Sequence, residues 1–200
     1  MPIPLTTSWI GYLKLASMNR STLKNQLQVY RTPYEEEADF ISDFIDLTED
    51  DLAYTRERLE GHFTASAWIV NKKRTHTLLT LHRKLGRWLQ LGGHADGNEN
   101  LLEVAMTEAR EESGLQTLKL VDSTIFDIDK HIIPERPHGP EHFHYDVRYL
   151  LEADIQEPLQ ISNESISLAW IAFDSVEDMI GYNPSILRML EKTSKSEILL

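Results

Sequence analysis

The run His142-Phe143-His144-Tyr145-Asp146-Val147-Arg148-Tyr149 alternates polar and apolar residues without a break. Successive side chains of an extended strand point to opposite faces. A period of two therefore separates His142, His144, Asp146 and Arg148 from Phe143, Tyr145, Val147 and Tyr149. An apolar face this complete needs a core to cover it, which commits the chain to a sheet packed against other elements. The polar face must then line a cleft or the surface. Two histidines and a carboxylate at i, i+2 and i+4 can ligate a metal or hydrogen-bond a phosphate.

The rest of the chain supplies the partners of such a strand. Residues 18 to 59 read as helical: Leu23, Leu27 and Tyr30 recur at helical spacing until Pro33, and Phe40, Ile41, Phe44, Ile45 and Leu47 form a second apolar stripe. Asp50 to Leu59 is a third, more charged, helical candidate. From Gly61 the texture changes. Phe63 to Val70 and Thr75 to Leu81 read as strands joined by a turn at Asn71-Lys72-Lys73. Strands are also expected over Leu118 to Asp129, Phe143 to Ala153 and Leu168 to Phe173. One helix is expected from Asn100 to Ser113, closed by Gly114, and another from Ser185 to Lys192. The expected class is α/β, a mixed sheet covered by helices on both faces, with residues 1–60 as a helical N-terminal extension and 61–200 as the main domain.

Charge and composition narrow the function. The formal net charge of −12 argues against a nucleic-acid partner, whose phosphates need a basic surface, and suits a chain that gathers carboxylates around hard cations. There are no cysteines, which excludes disulfides, thiolate metal sites and a cysteine nucleophile. No apolar run approaches the roughly 20 residues of a membrane span. Met1 to Ser17 lacks a basic start and contains Lys14, so it reads as an extension ahead of Met18, not as a signal peptide, and a cytoplasmic location is expected.

Within the helix expected after Gly92-Gly93, Glu108, Glu111 and Glu112 stand at i, i+3 and i+4, which projects three carboxylates from one side. Only Arg110 intervenes to relieve their repulsion. A Mg2+ or Mn2+ ion would offset it, because hard cations prefer carboxylate oxygen and water. Taken alone, three glutamates at this spacing are more often a solvated helix face.

The longer pattern Gly93-x5-Glu99-x7-Thr107-Glu108-Ala109-x-Glu111-Glu112-x-Gly114-Leu115 resembles the Nudix box, G-x5-E-x7-R-E-U-x-E-E-x-G-U, where U is aliphatic. Every fixed position agrees except Thr107, where the family has arginine. The resemblance implies the Nudix fold from about residue 61 onward and water attack on a metal-bound diphosphate. By position, Glu108 and Glu112 would be principal metal ligands, Glu111 a ligand or general base, and Glu99 a buttress of the loop–helix turn. Gly93 would lie against the bound substrate. Thr107 cannot pair with a motif carboxylate as the arginine does; Arg110 is the nearby cation that could substitute in part.

The stretch Trp88 to His94 is similar to the corresponding part of isopentenyl-diphosphate isomerases, a branch of the same fold. That likeness implies a second divalent site for Zn2+, Mn2+ or Fe2+ from His62, His94, His144 and Asp146. The isomerase cysteine would fall at Gly92, so isomerase chemistry of that kind is excluded. Glu164, in the loop before the Leu168 strand, sits where many Nudix proteins carry a base or extra ligand; the plain reading is a turn carboxylate. Arg148, His142 and Trp88 are candidate substrate contacts, and Trp68 and Tyr145 are read as core. His82, His131 and His138 are read as loop or surface residues. The function expected is hydrolysis of a diphosphate linkage in a small molecule such as a nucleoside diphosphate joined to another group. The alternatives are a Nudix-fold nucleotide- or metal-binding module with weakened catalysis and an isoprenoid-diphosphate enzyme. Neither nucleic acid nor membrane is an expected partner, and a homodimer is the one protein assembly considered.

Overall fold

The structure, a computed structural model, describes residues 18–135 and 139–196. His138 and the first 17 residues lie outside that range. Among the described residues there are five α-helices, α1 (Arg20–Val29), α2 (Glu35–Leu47), α3 (Leu101–Ser113), α4 (Val176–Ile180) and α5 (Pro184–Ser196). Eight strands accompany them: β1 (Gly61–Asn71), β2 (His76–His82), β3 (Arg87–Leu89), β4 (Leu91–His94), β5 (Lys119–Leu120), β6 (Asp127–Ile133), β7 (His142–Ala153) and β8 (Ser165–Ala172). The architecture is α/β with helices ahead of the sheet, as the sequence patterns require. Among the described residues no helix is long and apolar enough to cross a membrane.

The chain forms two compact units. The first takes in residues up to Ala65, His94–Val104 and Ser123–Val147; the second takes in Ser66–Gly93, Ala105–Asp122 and Arg148 onward. Strands β1 and β7 run through both.

In the first unit the N-terminal helices are part of the core. Helix α1 starts at Asn19, whose side chain accepts from the Thr22 amide at 3.0 Å, a standard N-cap that satisfies one orphan donor. Its apolar side buries Leu23 and Leu27. Helix α2 buries Phe44, whose ring meets Phe63 at 6.0 Å and Tyr145 edge-on at 5.3 Å. Glu37, on the same helix, is fully buried. It accepts hydrogen bonds from Tyr30 Oη at 2.6 Å, the Ile128 amide at 3.1 Å and the Thr32 hydroxyl. A buried carboxylate persists only when its lone pairs are matched in this way. Lys130 on β6 adds an ion pair to Asp43 at 2.6 Å.

In the second unit β2 is central. One edge pairs antiparallel with β8 from His76↔Ala172 to His82↔Ser165, and the other meets β1 at Ile69↔Leu78 and then β3 at Thr80↔Leu89. The sheet order is β3-β2-β1-β7-β5. Trp68 is fully buried and its indole N–H donates to Thr193 Oγ1 on α5 at 2.9 Å.

Three expectations are corrected. Residues 50–59 form a succession of turns instead of a third helix. The Asp50 carboxylate accepts from the Leu52 amide at 2.8 Å and binds Arg58 at 2.8 Å, and the Ala53 carbonyl accepts from Phe63 N at 2.7 Å, so side chain and strand take the groups a helix would use. The single strand expected over Leu118 to Asp129 is two, β5 and β6, separated by the polar Asp122-Ser123-Thr124 bend. Finally, the polar face of β7 is not open along its length: Asp146 and Arg148 are both buried.

The packing of α2 gives a direct test. Phe44→Ala should cost about 3–5 kcal/mol, the usual range for emptying a buried aromatic site. Urea unfolding checks it; an unchanged midpoint would mean the N-terminal helices are a dispensable appendage.

Candidate active site

The carboxylate helix is positioned by its two ends. Asn100 Oδ1 accepts from the Glu103 amide at 3.2 Å at the start of α3. At the other end Gly114 takes φ +74° and returns its N–H to the Arg110 carbonyl at 2.8 Å, the left-handed stop that glycine permits without strain. Helical spacing then puts Glu108, Glu111 and Glu112 on one side, as expected. Their environments differ. Glu111 is exposed, Glu108 is half-buried, and Glu112 is only 7% exposed.

The glycine pair before the helix meets two of these acids. The Gly92 N–H donates to Glu112 Oε1 at 3.2 Å. A Cβ at Gly93 would lie 2.5 Å from the Glu108 carboxyl carbon, so only glycine leaves that carboxylate its place. Burial pushes Glu112 up to about 8; the Gly92 hydrogen bond opposes this, and the charges of Glu108 and Glu164 reinforce it. Water is excluded from an acid whose neighbours are acids, and a hard dication is the species that makes such a set favourable. The donor set therefore fits Mg2+ or Mn2+.

Glu164 is exposed, in a loop held by Arg83, which donates through its amide to the Glu164 carbonyl at 2.8 Å and through Nε to the Asn163 carbonyl at 3.0 Å. Trp88 is half-buried on β3 opposite Leu81. Arg148 is 2% exposed and engaged inside the protein, so it belongs to the framework and not to an open substrate surface, unlike the contact its strand position suggested.

Glu99 is paired with a cation from outside the motif. Thr107 and Arg110 are both exposed. The cation that meets Glu99 comes from α1: Arg20 Nη2 lies 3.0 Å and Nε 3.1 Å from Glu99 Oε1, and Arg20 also binds Asp51 at 2.8 Å. No local signal links positions 20 and 99, and the sequence alone did not reveal it.

The histidines gather in the first unit. The His62 ring centroid is 5.3 Å from His94, 5.2 Å from His142 and 5.2 Å from His144, and His94 is 4.8 Å from His144. His62, His142 and His144 present ligand atoms all within 4.8 Å of one another. Asp146 falls outside that group and accepts from Thr64 Oγ1 at 3.0 Å instead. It shares the strand face, but two residues of strand carry it about 6–7 Å beyond His144. His142, expected at substrate, is a member of the cluster. His131, expected at the surface, is half-buried on β6, with its ring 5.5 Å from His144 and its Nδ1 3.0 Å from Asp129. The alternation Asp127-x-Asp129-x-His131 was the signal for it. Desolvation lowers His62, takes His94 to about 4 and His144 to about 2, with the neighbouring imidazoles adding to the shift in each case, so these rings are neutral at pH 7.

A sequence profile of the NUDIX domain matches residues 61–191. The chain belongs to the Nudix family. It is a hydrolase of acid anhydrides in phosphorus-containing compounds. Solved structures with the same fold include the binary complex of a Caenorhabditis elegans Ap4A hydrolase, with TM-score 0.55 and 16% identity over 69% of this chain and 98% of that one. A NUDIX family hydrolase from Clostridium perfringens has TM-score 0.53 and 24% identity over 66% and 96%. The MutT protein from Methanosarcina mazei Go1 has TM-score 0.51 and 17% identity over 70% and 97%. No curated protein gives a significant match.

The raised Glu112 makes this Nudix hydrolase pH-sensitive when metal-free. An acid whose folded pKa exceeds its unfolded value contributes stability below the unfolded value, near 4.5, and loses it as pH rises through about 8. In chelator above pH 8, Glu112→Gln should therefore be more stable than wild type by roughly 2–4 kcal/mol, since the amide oxygen still accepts from Gly92. Thermal melts at pH 5 and pH 9 check this; equal stabilities at both would remove the argument.

Proposed function

We propose that this Nudix hydrolase cleaves a diphosphate linkage in a small molecule, a nucleoside diphosphate joined to a second group being the class we favour, with Mg2+ or Mn2+ held by Glu108, Glu111 and Glu112. The observation that carries the reading is the buried Glu112 carboxylate beside Glu108 and Glu164. A solvated helix face would not enclose an acid among acids.

When bound, the ion polarises a phosphoryl oxygen and lowers the pKa of the attacking water. The chain's own part is positional. Glu112 is oriented by the Gly92 amide, and Glu108 is seated in the space that Gly93 leaves. Glu111 and Glu164, both exposed, are our candidates for taking a proton from water, the role a general base needs. Arg20 replaces the missing motif arginine as the partner of Glu99 and so supports the entry to α3. The structural relatives contribute the fold; one is named for Ap4A, a phosphate anhydride, and the organic group preferred here rests on the loops of this chain.

A panel of nucleoside diphosphate derivatives and other small diphosphates, assayed for released phosphate or monophosphate with Mg2+ and Mn2+, tests the reading. Activity should vanish in chelator and return with either ion. Glu112→Gln should lower kcat by about 10²–10⁴-fold, in the range of losing a group that acts on developing charge. Gly93→Ala should lower turnover while leaving the fold intact, because the flexible Glu108 end moves aside. Full rates in metal-free buffer would sink the assignment.

A further inference from the structure

We propose that His62, His142 and His144 form a binding site for one late first-row divalent cation, Zn2+ above all, built from ligands that the carboxylate helix does not supply. The inference stands independently of the hydrolytic reading.

Three imidazoles whose ligand atoms lie within 4.8 Å of one another need only small side-chain adjustments to share one ion. At a Zn–N distance of about 2.0–2.1 Å, tetrahedral ligands sit roughly 3.3 Å apart. The orientation of the rings is the stronger argument. His62 Nδ1 lies 3.3 Å from the Arg58 carbonyl and His142 Nδ1 lies 2.9 Å from the Pro140 carbonyl. A carbonyl only accepts, so each Nδ1 carries the proton and each Nε2 presents a lone pair. Such a hydrogen bond on the far nitrogen is the support that metal-ligating histidines have.

Among the described residues, His62 Nε2 and His144 Nε2 are buried with no hydrogen-bond partner, and His62 is only 4% exposed. Buried polar atoms are paired in the great majority of cases, so two in one cluster call for an electrophile. His94, 4.8 Å from His144, stands beside the triad as a fourth neutral imidazole. Nitrogen ligands of this kind select Zn2+, Co2+, Ni2+ or Cu2+ over Mg2+. The ion would tie the start of β1 to the start of β7, so binding should also raise the melting temperature.

The full chain, stripped with chelator, is titrated with Zn2+ by calorimetry and with Co2+ by visible absorption. About one equivalent should bind per chain, with Co2+ giving the visible bands of nitrogen ligation and Mg2+ failing to compete. The double variant Glu108→Gln/Glu112→Gln should bind Zn2+ as wild type does. His142→Ala should weaken Zn2+ binding at least ~100-fold, beyond what an outer-shell partner accounts for. His144→Ala should do the same. Should His144→Ala fail to fold, the half-exposed His142 carries the decision. Absence of Zn2+ binding by the wild type, unchanged affinity in His142→Ala, or loss of binding in the glutamate double variant overturns the proposal. So does a cluster that binds inorganic phosphate, and loses it in His142→Ala, while ignoring Zn2+.

Discussion

Enclosing the Glu112 carboxylate next to other acids opposes folding, and the local structure around it is arranged to hold that opposition down. The Gly92 N–H supplies a backbone donor, the missing side chain of Gly93 lets Glu108 sit close, and α3 is fixed at both ends by Asn100 and Gly114. Each device acts on the position of an oxygen atom, not on the strength of the core. The result is a preorganised donor set whose repulsion a dication would release, the electrostatic arrangement that the proposed metal-assisted anhydride cleavage would use.

The helices before the sheet belong to the same logic. Glu37 is buried on α2 and satisfied by Tyr30, Thr32 and the Ile128 amide, so a second enclosed carboxylate fastens helix to strand. Arg20 on α1 reaches Glu99 just ahead of the carboxylate helix. What reads as an extension in sequence thus supplies a cation that the family pattern places inside the motif. Because Arg20 and Glu99 are both partly exposed, their pair contributes orientation more than stability.

The sequence carried the carboxylate helix almost completely, because a helix of period 3.6 places i, i+3 and i+4 together whatever surrounds it. It also carried the strand status of residues 142–149. It did not carry the turns of residues 50–59, where Asp50 competes with the helix for backbone donors, nor the division of the strand expected from Leu118. Among the histidines, the nearness of His62, His94 and His144 was legible through position, but the ligand atoms that come together are those of His62, His142 and His144, with Asp146 apart. A shared strand face guarantees a shared direction, but the rise along the strand decides which side chains reach one point.

Taken by itself, the chain determined the chemistry available: three glutamates in register, a glycine pair before them, no thiol, and polar groups alternating on one strand. These follow from local periodicity, which the order of residues fixes. Tertiary structure alone decided which acid lost its water, which arginine met Glu99, and that His131 and His142 belong with His62 and His144. Those outcomes depend on contacts between residues far apart in the chain, and on burial, which is a property of the packed protein and of no single segment.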